Sequence, residues 1–315
     1  GISVAGVVPY TRVDIDEEDG LGARARRSRE HKLIDAAVIR LPRISNFTDF
    51  SPFERYENLS VRYVEKAADL GRPDIVFLPG TKNTIADLLW MRQNGLEASV
   101  KKLAASGTMI IGICGGYQML GKVIRDPDRV ESDLTQIEGM GLLDTETVFK
   151  ADKVQRQTRG VLTDVDGMLS ALNGVAYYGY EIHMGRDKEN PLPLIGKNNV
   201  YGSYVHGLFD TALITDRILQ AVCDSKGVDF HSHGDFDLNE YKEQQFDKLA
   251  DAVRSGLDIK LILKNMNGTK GTDTRLIAFH RCQIVNLRLF QKIIYSFHNH
   301  SPLSFVFTVH ARYTA

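Results

Sequence analysis

The 315-residue sequence has few cysteines, and it lacks every common signal of a membrane, secreted or nucleic-acid-binding protein. Its three cysteines, Cys114, Cys223 and Cys282, are far apart and show no CxxC spacing. This disfavours a disulfide framework or a zinc site and favours a cytoplasmic protein. No apolar run reaches the roughly 18–20 residues of a membrane span. The net charge of −1 gives no reason to expect a membrane or nucleic-acid partner.

Two further absences concern the start of the chain and the binding of phosphate. The first eight residues are apolar and read as a short buried strand that ends at Pro9, but they lack the basic leader of a signal peptide. The chain also begins without Met, so we expect it to be the C-terminal part of a longer protein. No GxxxxGK[ST] phosphate loop occurs. We therefore expect no cofactor in this chain.

The middle of the sequence alternates between short β-branched runs and segments with helical spacing. Such alternation predicts an α/β fold, with a mostly parallel sheet flanked by helices on both faces. The predicted strands are residues 36–41, 61–64, 75–78, 109–113, 161–162, 180–183 and 201–205. The predicted helices are residues 83–91, 96–105, 215–225 and 239–255, with Asn83 as the N-cap of the first.

The last fifty residues differ in composition from the rest. After residue 265 the only acid is Asp273, whereas four of the nine histidines lie there, His280, His298, His300 and His310. Their spacing matches no common set of metal ligands, so we predict no metal site. We treat residues 259–315 as an atypical tail, disordered or non-native.

The most informative stretch places Cys114 at a strand-to-helix junction. An apolar strand runs directly into Gly112-Ile113-Cys114-Gly115-Gly116, and a helical segment follows. This is the pattern of a nucleophile elbow, in which glycines allow a tight turn and the side chain emerges at the carboxyl end of the sheet. A buried structural cysteine is the alternative, but flanking glycines at such a junction favour a nucleophile.

A thiolate that attacks an amide also needs donors for the oxyanion and a histidine partner. The backbone amide of Gly115 is one expected donor, and Gly80, which follows a buried strand, is the other. His206 leaves a predicted strand at its carboxyl end and is the favoured base. His183 is a competitor that spacing alone does not exclude.

At these residues the chain resembles the class I glutamine amidotransferases and, more narrowly, the cobyric acid synthase family of cobalamin biosynthesis. The matching segments are PGTKNT (79–84), GICGGYQ (112–118), GYEIHMGR (179–186), YVHG (204–207) and, most specifically, VIRLPRISNFTDF (38–50). The resemblance implies a flavodoxin-like, three-layer architecture.

The resemblance also implies a chemistry. Cys114 would form a γ-glutamyl thioester with glutamine, and His206 would assist it. Released ammonia would pass to a synthetase domain that uses ATP and magnesium. There it would amidate four carboxylates of adenosylcobyrinic acid a,c-diamide, the corrinoid acceptor.

Two departures from the wider class matter. Class I enzymes carry a Glu two residues after the histidine, but this chain has Leu208 there, as the cobyric acid synthase branch does. The carboxylate expected to support His206 instead is Glu181, and His183 is a further candidate for support. The phosphate loop that begins the family's synthetase domain is also missing, so we expect glutamine hydrolysis without ligase activity.

The expected organisation is therefore the end of a truncated synthetase domain and a linker in residues 1–30, an amidotransferase domain in 31–258, and the tail. Two other interpretations stay open. One is a cobyrinic acid a,c-diamide synthase-like amidotransferase, against which residues 40–50 argue. The other is a catalytically inactive fragment of the fold.

Overall fold

The computed structural model describes residues 5–13, 32–187, 192–230, 238–259 and 261–262. Its strands are β1 (Ile34–Ile39), β2 (Ile44–Ser45), β3 (Leu59–Val64), β4 (Ile75–Leu78), β5 (Gly80–Thr81), β6 (Met109–Ile113), β7 (Val123–Arg125), β8 (Gln136–Glu138), β9 (Glu146–Val161), β10 (Ala176–Asp187), β11 (Ile195–Lys197) and β12 (Val200–Ser203). Its helices are α1 (Ala67–Leu70), α2 (Thr84–Gln93), α3 (Leu96–Ala105), α4 (Gly115–Leu120), α5 (Ala212–Lys226) and α6 (Leu238–Gly256).

The main sheet has six strands in the order β11-β12-β6-β4-β1-β3. Neighbours from β12 to β3 pair in parallel, and only the edge strand β11 is antiparallel. Numbered along the chain, the five parallel strands lie in the order 2-1-3-4-5, which is the flavodoxin-like doubly wound order. The predicted mostly parallel sheet is confirmed.

Helices cover both faces of this sheet because its central strands are apolar on both sides. Successive residues of β1, β4 and β6 alternate between two separate buried clusters. One cluster includes the apolar face of α5, and the other includes those of α2, α3 and α4. A strand buried on both faces reads as a continuous apolar run, which is why these strands could be predicted from sequence.

A second sheet of four strands, in the order β10-β9-β7-β8, was only partly predicted. Its main feature is the long antiparallel pair of β9 and β10, whose outer half is mostly exposed. The predicted strands at 161–162 and 180–183 are short parts of this pair. Exposed strands lack the apolar runs that mark the main sheet, so the sequence pattern does not predict most of the length of β9 and β10.

Most other element predictions are confirmed. β4, β6 and α3 have the predicted bounds, and α2 begins at Thr84, where the Asn83 side chain accepts a hydrogen bond from the amide of Ala86 at 2.8 Å. The buried strand predicted at the start of the chain is wrong over residues 5–10, and residues 1–4 lie outside the described residues. Among residues 5–13 only Gly6 makes a strand-like bridge, and Val7 and Tyr10 are exposed.

Contacts divide the chain into two compact units. The first holds residues 32–187 and 192–230 of the described chain. The second joins residues 5–13 to almost all of α6, and the amide of Asp258 donates to the carbonyl of Ala5 within it. This division differs from the predicted domain of residues 31–258, because α6 groups with the N-terminal segment. Most of the predicted tail, from residue 263 on, lies outside the described residues, as do the four histidines near the C-terminus.

None of the helices described above combines the length and the apolar character that crossing a bilayer requires.

Aromatic side chains fill the core of the first unit at one end of the sheet. Phe77 of β4 lies 4.9 Å from the rings of both Phe50 and Phe53, and Phe53 lies 5.1 Å from Phe209. All four are buried. This cluster joins the loop after β2 to the loop after β12.

Replacing Phe53 with Ala should lower the free energy of unfolding by about 3–5 kcal/mol, because the substitution leaves a cavity beside the rings of Phe77 and Phe209. Urea denaturation followed by fluorescence of Trp90, the only tryptophan in the sequence, measures the change in this unit. Leu213→Ala, at an exposed position of α5, is the control and should shift stability by about 0.5 kcal/mol or less. Equal effects of the two substitutions would contradict the assigned core.

Candidate active site

Cys114 lies at a strained turn between β6 and α4. Its φ of 51° is in the left-handed region, which costs a residue with a β-carbon roughly 1–2 kcal/mol. Its amide donates to the carbonyl of Ser203 at 2.8 Å, so β12 holds the turn from one side. A β-carbon at Gly116 would overlap the carbonyl of Leu78, and one at Gly112 would lie 2.7 Å from the backbone of Gly116. Glycine is therefore required on both sides of the turn.

The thiol of Cys114 is nearly buried, with the residue 8% exposed. Its sulfur lies 3.8 Å from the carbonyl oxygen of Ile182 in β10. Strand β10 thus forms a wall beside the sulfur. The elbow geometry predicted from the glycines is present, and it brings Cys114 to the carboxyl end of the sheet.

His206 lies directly after β12 and is hydrogen-bonded to a buried carboxylate. Its Nδ1 is 2.8 Å from Oδ2 of Asp49, and the other oxygen of Asp49 accepts the amide of Gly207 at 2.9 Å. His206 is 1% exposed and Asp49 is 5% exposed. A buried carboxylate with two such partners fixes both the position of the imidazole and its tautomer, with the proton on Nδ1.

This pairing changes the protonation of His206. Burial by itself lowers the pKa of the imidazole, but the charge of Asp49 and hydrogen bonds with Asp49 and Cys114 outweigh burial and raise the pKa to about 10. At neutral pH His206 is therefore an imidazolium next to the thiol. Such a neighbour stabilises the thiolate form of a cysteine.

Tyr180 and Asn46 complete the surroundings of His206. The ring of Tyr180 stacks on the imidazole, with centroids 5.2 Å apart, and the backbones of the two residues exchange hydrogen bonds. The Asn46 side chain donates to the Tyr180 hydroxyl at 2.7 Å. Burial and the charge of Asp49 raise the pKa of Tyr180, so its hydroxyl stays protonated.

The interpretation that Glu181 supports His206 is wrong. Glu181 accepts hydrogen bonds from Arg156 at 3.0–3.2 Å and lies 3.3 Å from Nε2 of His183. The bond to His183, and after it the bond and charge of Arg156, hold the pKa of Glu181 below its ordinary value despite burial. The carboxylate that orients His206 is Asp49.

His183 is held in an arrangement of its own, away from the role of a base. Its Nδ1 lies 2.7 Å from the carbonyl of Gly185, its Nε2 faces Glu181, and its ring stacks on Tyr204 with centroids 3.9 Å apart. Each ring nitrogen of His183 thus faces an oxygen that accepts hydrogen bonds, a carbonyl on one side and a carboxylate on the other. The ring nitrogens of His183 are therefore bonded to groups other than Cys114, whereas His206 is hydrogen-bonded with Cys114.

Of the two predicted oxyanion residues, Gly115 follows the nucleophile directly and Gly80 lies against His206. Gly115 is the first residue of α4, and a first-turn amide has no carbonyl to bind within its helix. A β-carbon on Gly115 would lie 2.6 Å from Cγ2 of Thr81. A β-carbon on Gly80 would lie 3.2 Å from Cε1 of His206. Strand β5 therefore lies against both the elbow and the histidine.

Asp49 and Asn46 were not singled out as site residues from the sequence. Both lie in the VIRLPRISNFTDF segment that carried the most specific resemblance. The signal that the sequence offered for Asp49 is an acid between two phenylalanines, Phe47 and Phe50. Both phenylalanines are buried in the structure. Among the described residues, no group of three or more His, Cys, Asp and Glu side chains could hold a metal ion.

Comparison with known proteins shows the family to which the chain belongs. The family of the CobB/CobQ-like glutamine amidotransferase domain matches residues 35–213. A cobyric acid synthase of Lachnoclostridium phytofermentans is 48% identical over 290 residues, which cover 84% of this chain and 56% of that protein. A cobyric acid synthase of Ruminiclostridium cellulolyticum is 45% identical over 84% of this chain and 55% of its own.

The chain thus spans little more than half the length of these relatives. Among solved structures, a glutamine amidotransferase aligns at 15% identity over 61% of this chain and 99% of its own, with a TM-score of 0.43.

Replacing Asp49 with Asn should lower the pKa of His206 from about 10 toward 6.5 or below, because burial then acts without the opposing charge. NMR titration of the ring protons measures this pKa. Glu181→Gln removes a carboxylate of similar burial that is bonded to the other histidine. It should leave the pKa of His206 unchanged. A lower pKa in Glu181→Gln, with no change in Asp49→Asn, would reverse the assignment of the orienting carboxylate.

The same shift predicts how stability depends on pH. The folded pKa of His206 lies above its ordinary value of 6.5, so protonated His206 stabilises the folded state. This contribution is fully present below about pH 6.5 and is lost as the pH rises through about 10. In Asp49→Asn it should be much smaller, which urea denaturation at a series of pH values would detect.

Proposed function

The chain belongs to the CobB/CobQ-like glutamine amidotransferase family, and we propose that it hydrolyses glutamine through a thioester on Cys114, with His206 as the proton carrier. The observation that carries this proposal is the burial of His206 between the thiol and the Asp49 carboxylate. A charged imidazole held in this way prepares both the nucleophile and the acid that the reaction needs.

The chemistry follows from this starting state. The thiolate of Cys114 attacks the side-chain carbonyl carbon of glutamine and forms a tetrahedral oxyanion. As that intermediate collapses, the carbon–nitrogen bond breaks and His206 gives its proton to the leaving nitrogen, so ammonia departs. Neutral His206 then takes a proton from water, which attacks the thioester. Breaking the carbon–sulfur bond releases glutamate and restores the thiolate and the imidazolium.

Asp49 takes the place of the Glu that wider class I enzymes carry two residues after the histidine. Leu208 occupies that position here and is buried in the core instead. Asp49 reaches the imidazole from a short helical turn, Phe47–Phe50, in the loop after β2. The charge that keeps the imidazole oriented and protonated thus comes from a different part of the chain.

Further, we infer that this domain supplies ammonia within a cobyric acid synthase. The support is the identity of 45–48% with proteins of that name over most of this chain. The chain covers only 55–56% of these relatives, so the part of them that it does not cover would hold the ATP- and magnesium-dependent synthetase. The proposed acceptor is adenosylcobyrinic acid a,c-diamide, and this domain would not amidate it alone.

Glutamate release from glutamine tests the role of the nucleophile. Cys114→Ala should abolish the release, and His206→Gln should reduce it by a factor of about 10²–10⁴, the usual contribution of general acid–base catalysis. Cys223→Ala, which removes the other described buried thiol, is the matched control and should retain the wild-type rate. Equal rates in wild type and Cys114→Ala would refute the proposal.

A chimera tests the acceptor. Joining the uncovered part of the Lachnoclostridium phytofermentans relative to this chain should give a protein that amidates adenosylcobyrinic acid a,c-diamide with ATP, magnesium and glutamine. In the same chimera, Cys114→Ala should block amidation with glutamine but not with added ammonium, since only ammonia supply is lost. Mass spectrometry of the corrinoid measures both results. If the chimera hydrolyses glutamine but amidates this corrinoid with neither glutamine nor ammonium, the corrinoid is excluded as the acceptor.

A further inference from the structure

Asp87 is a buried carboxylate that the proposed chemistry does not use. It lies in the first turn of α2 and is 0% exposed. A buried charge is costly unless it is paired and hydrogen-bonded, so its partners show what it holds in place. The N-cap of α2 is already provided by Asn83, so capping does not account for Asp87.

The partners of Asp87 lie on both sides of the small β2–β5 ladder. The hydroxyl of Thr81 in β5 donates to Oδ2 at 2.5 Å. On the other side, Arg43, the residue before β2, donates its amide to Oδ2 at 3.1 Å and its Nη1 to Oδ1 at 2.9 Å. One carboxylate thus ties the ladder to the rigid helix α2.

This ladder is the part of the structure that reaches the nucleophile. Ile44 pairs with Thr81 and Ser45 with Gly80, and these are all the pairs in the ladder. Such a short ladder contributes few hydrogen bonds of its own. A β-carbon on Gly115 would collide with the side chain of Thr81, and one on Gly80 would lie against the ring of His206. A shift of β5 by even a fraction of an ångström would therefore change the space where the oxyanion forms.

We propose that Asp87 is a positioning residue for glutamine hydrolysis, which holds β5 in register with the Cys114 elbow through the hydroxyl of Thr81. This inference rests on the proposed function, because it concerns the same nucleophile. Asp87 does not touch the reacting atoms. It sets the distance from the backbone of β5, at Gly80 and Thr81, to the amide of Gly115. That distance decides how well these backbone amides can bind the oxyanion.

The test compares two kinds of reaction at Cys114 in the full chain. The γ-semialdehyde of glutamate forms a tetrahedral adduct with the thiolate and needs the oxyanion donors. Iodoacetamide alkylates the thiolate at a saturated carbon and needs none. Asp87→Asn should lower kcat for glutamine by about 10–100-fold and weaken inhibition by the aldehyde by a similar factor. KM and the rate of alkylation should stay within about threefold of wild type.

Thr81→Val removes only the hydroxyl and should also lower kcat and weaken inhibition by the aldehyde. Thr81→Ser keeps the hydroxyl and should retain a higher kcat than Thr81→Val. Asp35→Asn is the control, since Asp35 in β1 is a partly buried carboxylate that pairs with Arg62 in β3. It should leave kcat unchanged.

The outcomes separate the two proposals. If wild type and Cys114→Ala bind the aldehyde equally, the proposed function itself fails. If wild type is active but Asp87→Asn and Thr81→Val, both folded, match it in kcat and in aldehyde inhibition, only the positioning role is overturned. Equal losses in aldehyde inhibition and alkylation would assign Asp87 a general structural role and also overturn the inference.

Discussion

The buried ion pair between Asp49 and His206 is the interaction on which the rest of the site depends. Burying either charge without the other would cost free energy, because each side chain is almost fully removed from water. Together they keep the imidazole protonated and fixed beside Cys114. The neighbouring features serve this pair. Gly207 donates to the second oxygen of Asp49, and Tyr180 covers the face of the imidazole.

The pair in turn depends on the aromatic core. Asp49 directly precedes Phe50, and His206 lies three residues before Phe209. Both rings pack on Phe77 in the main sheet. A parallel sheet collects the ends of strands that are distant in sequence, and the phenylalanines then fix the loops that follow those ends. This is how residues 157 positions apart come within 2.8 Å.

The sequence was sufficient for the elements whose signal is local. β4 and β6 are continuous apolar runs, and the glycines around Cys114 mark the elbow because no other residue fits. The partner of His206 was not accessible in this way, because its pairing is decided by the fold. Glu181 lies in one of the matching motifs, but β10 directs it to Arg156 and His183. The exposed half of β9 was missed because it lacks an apolar pattern.

The left-handed backbone of Cys114 has a consequence for the history of this domain. Glycine would relieve the strain at this position but would remove the sulfur, so stability and catalysis favour different residues at the same place. Once such a domain no longer has to hydrolyse glutamine, mutations that relax the turn are no longer eliminated. The nucleophile should then be among the first residues to change, while the glycines around it, which the packing requires, would persist.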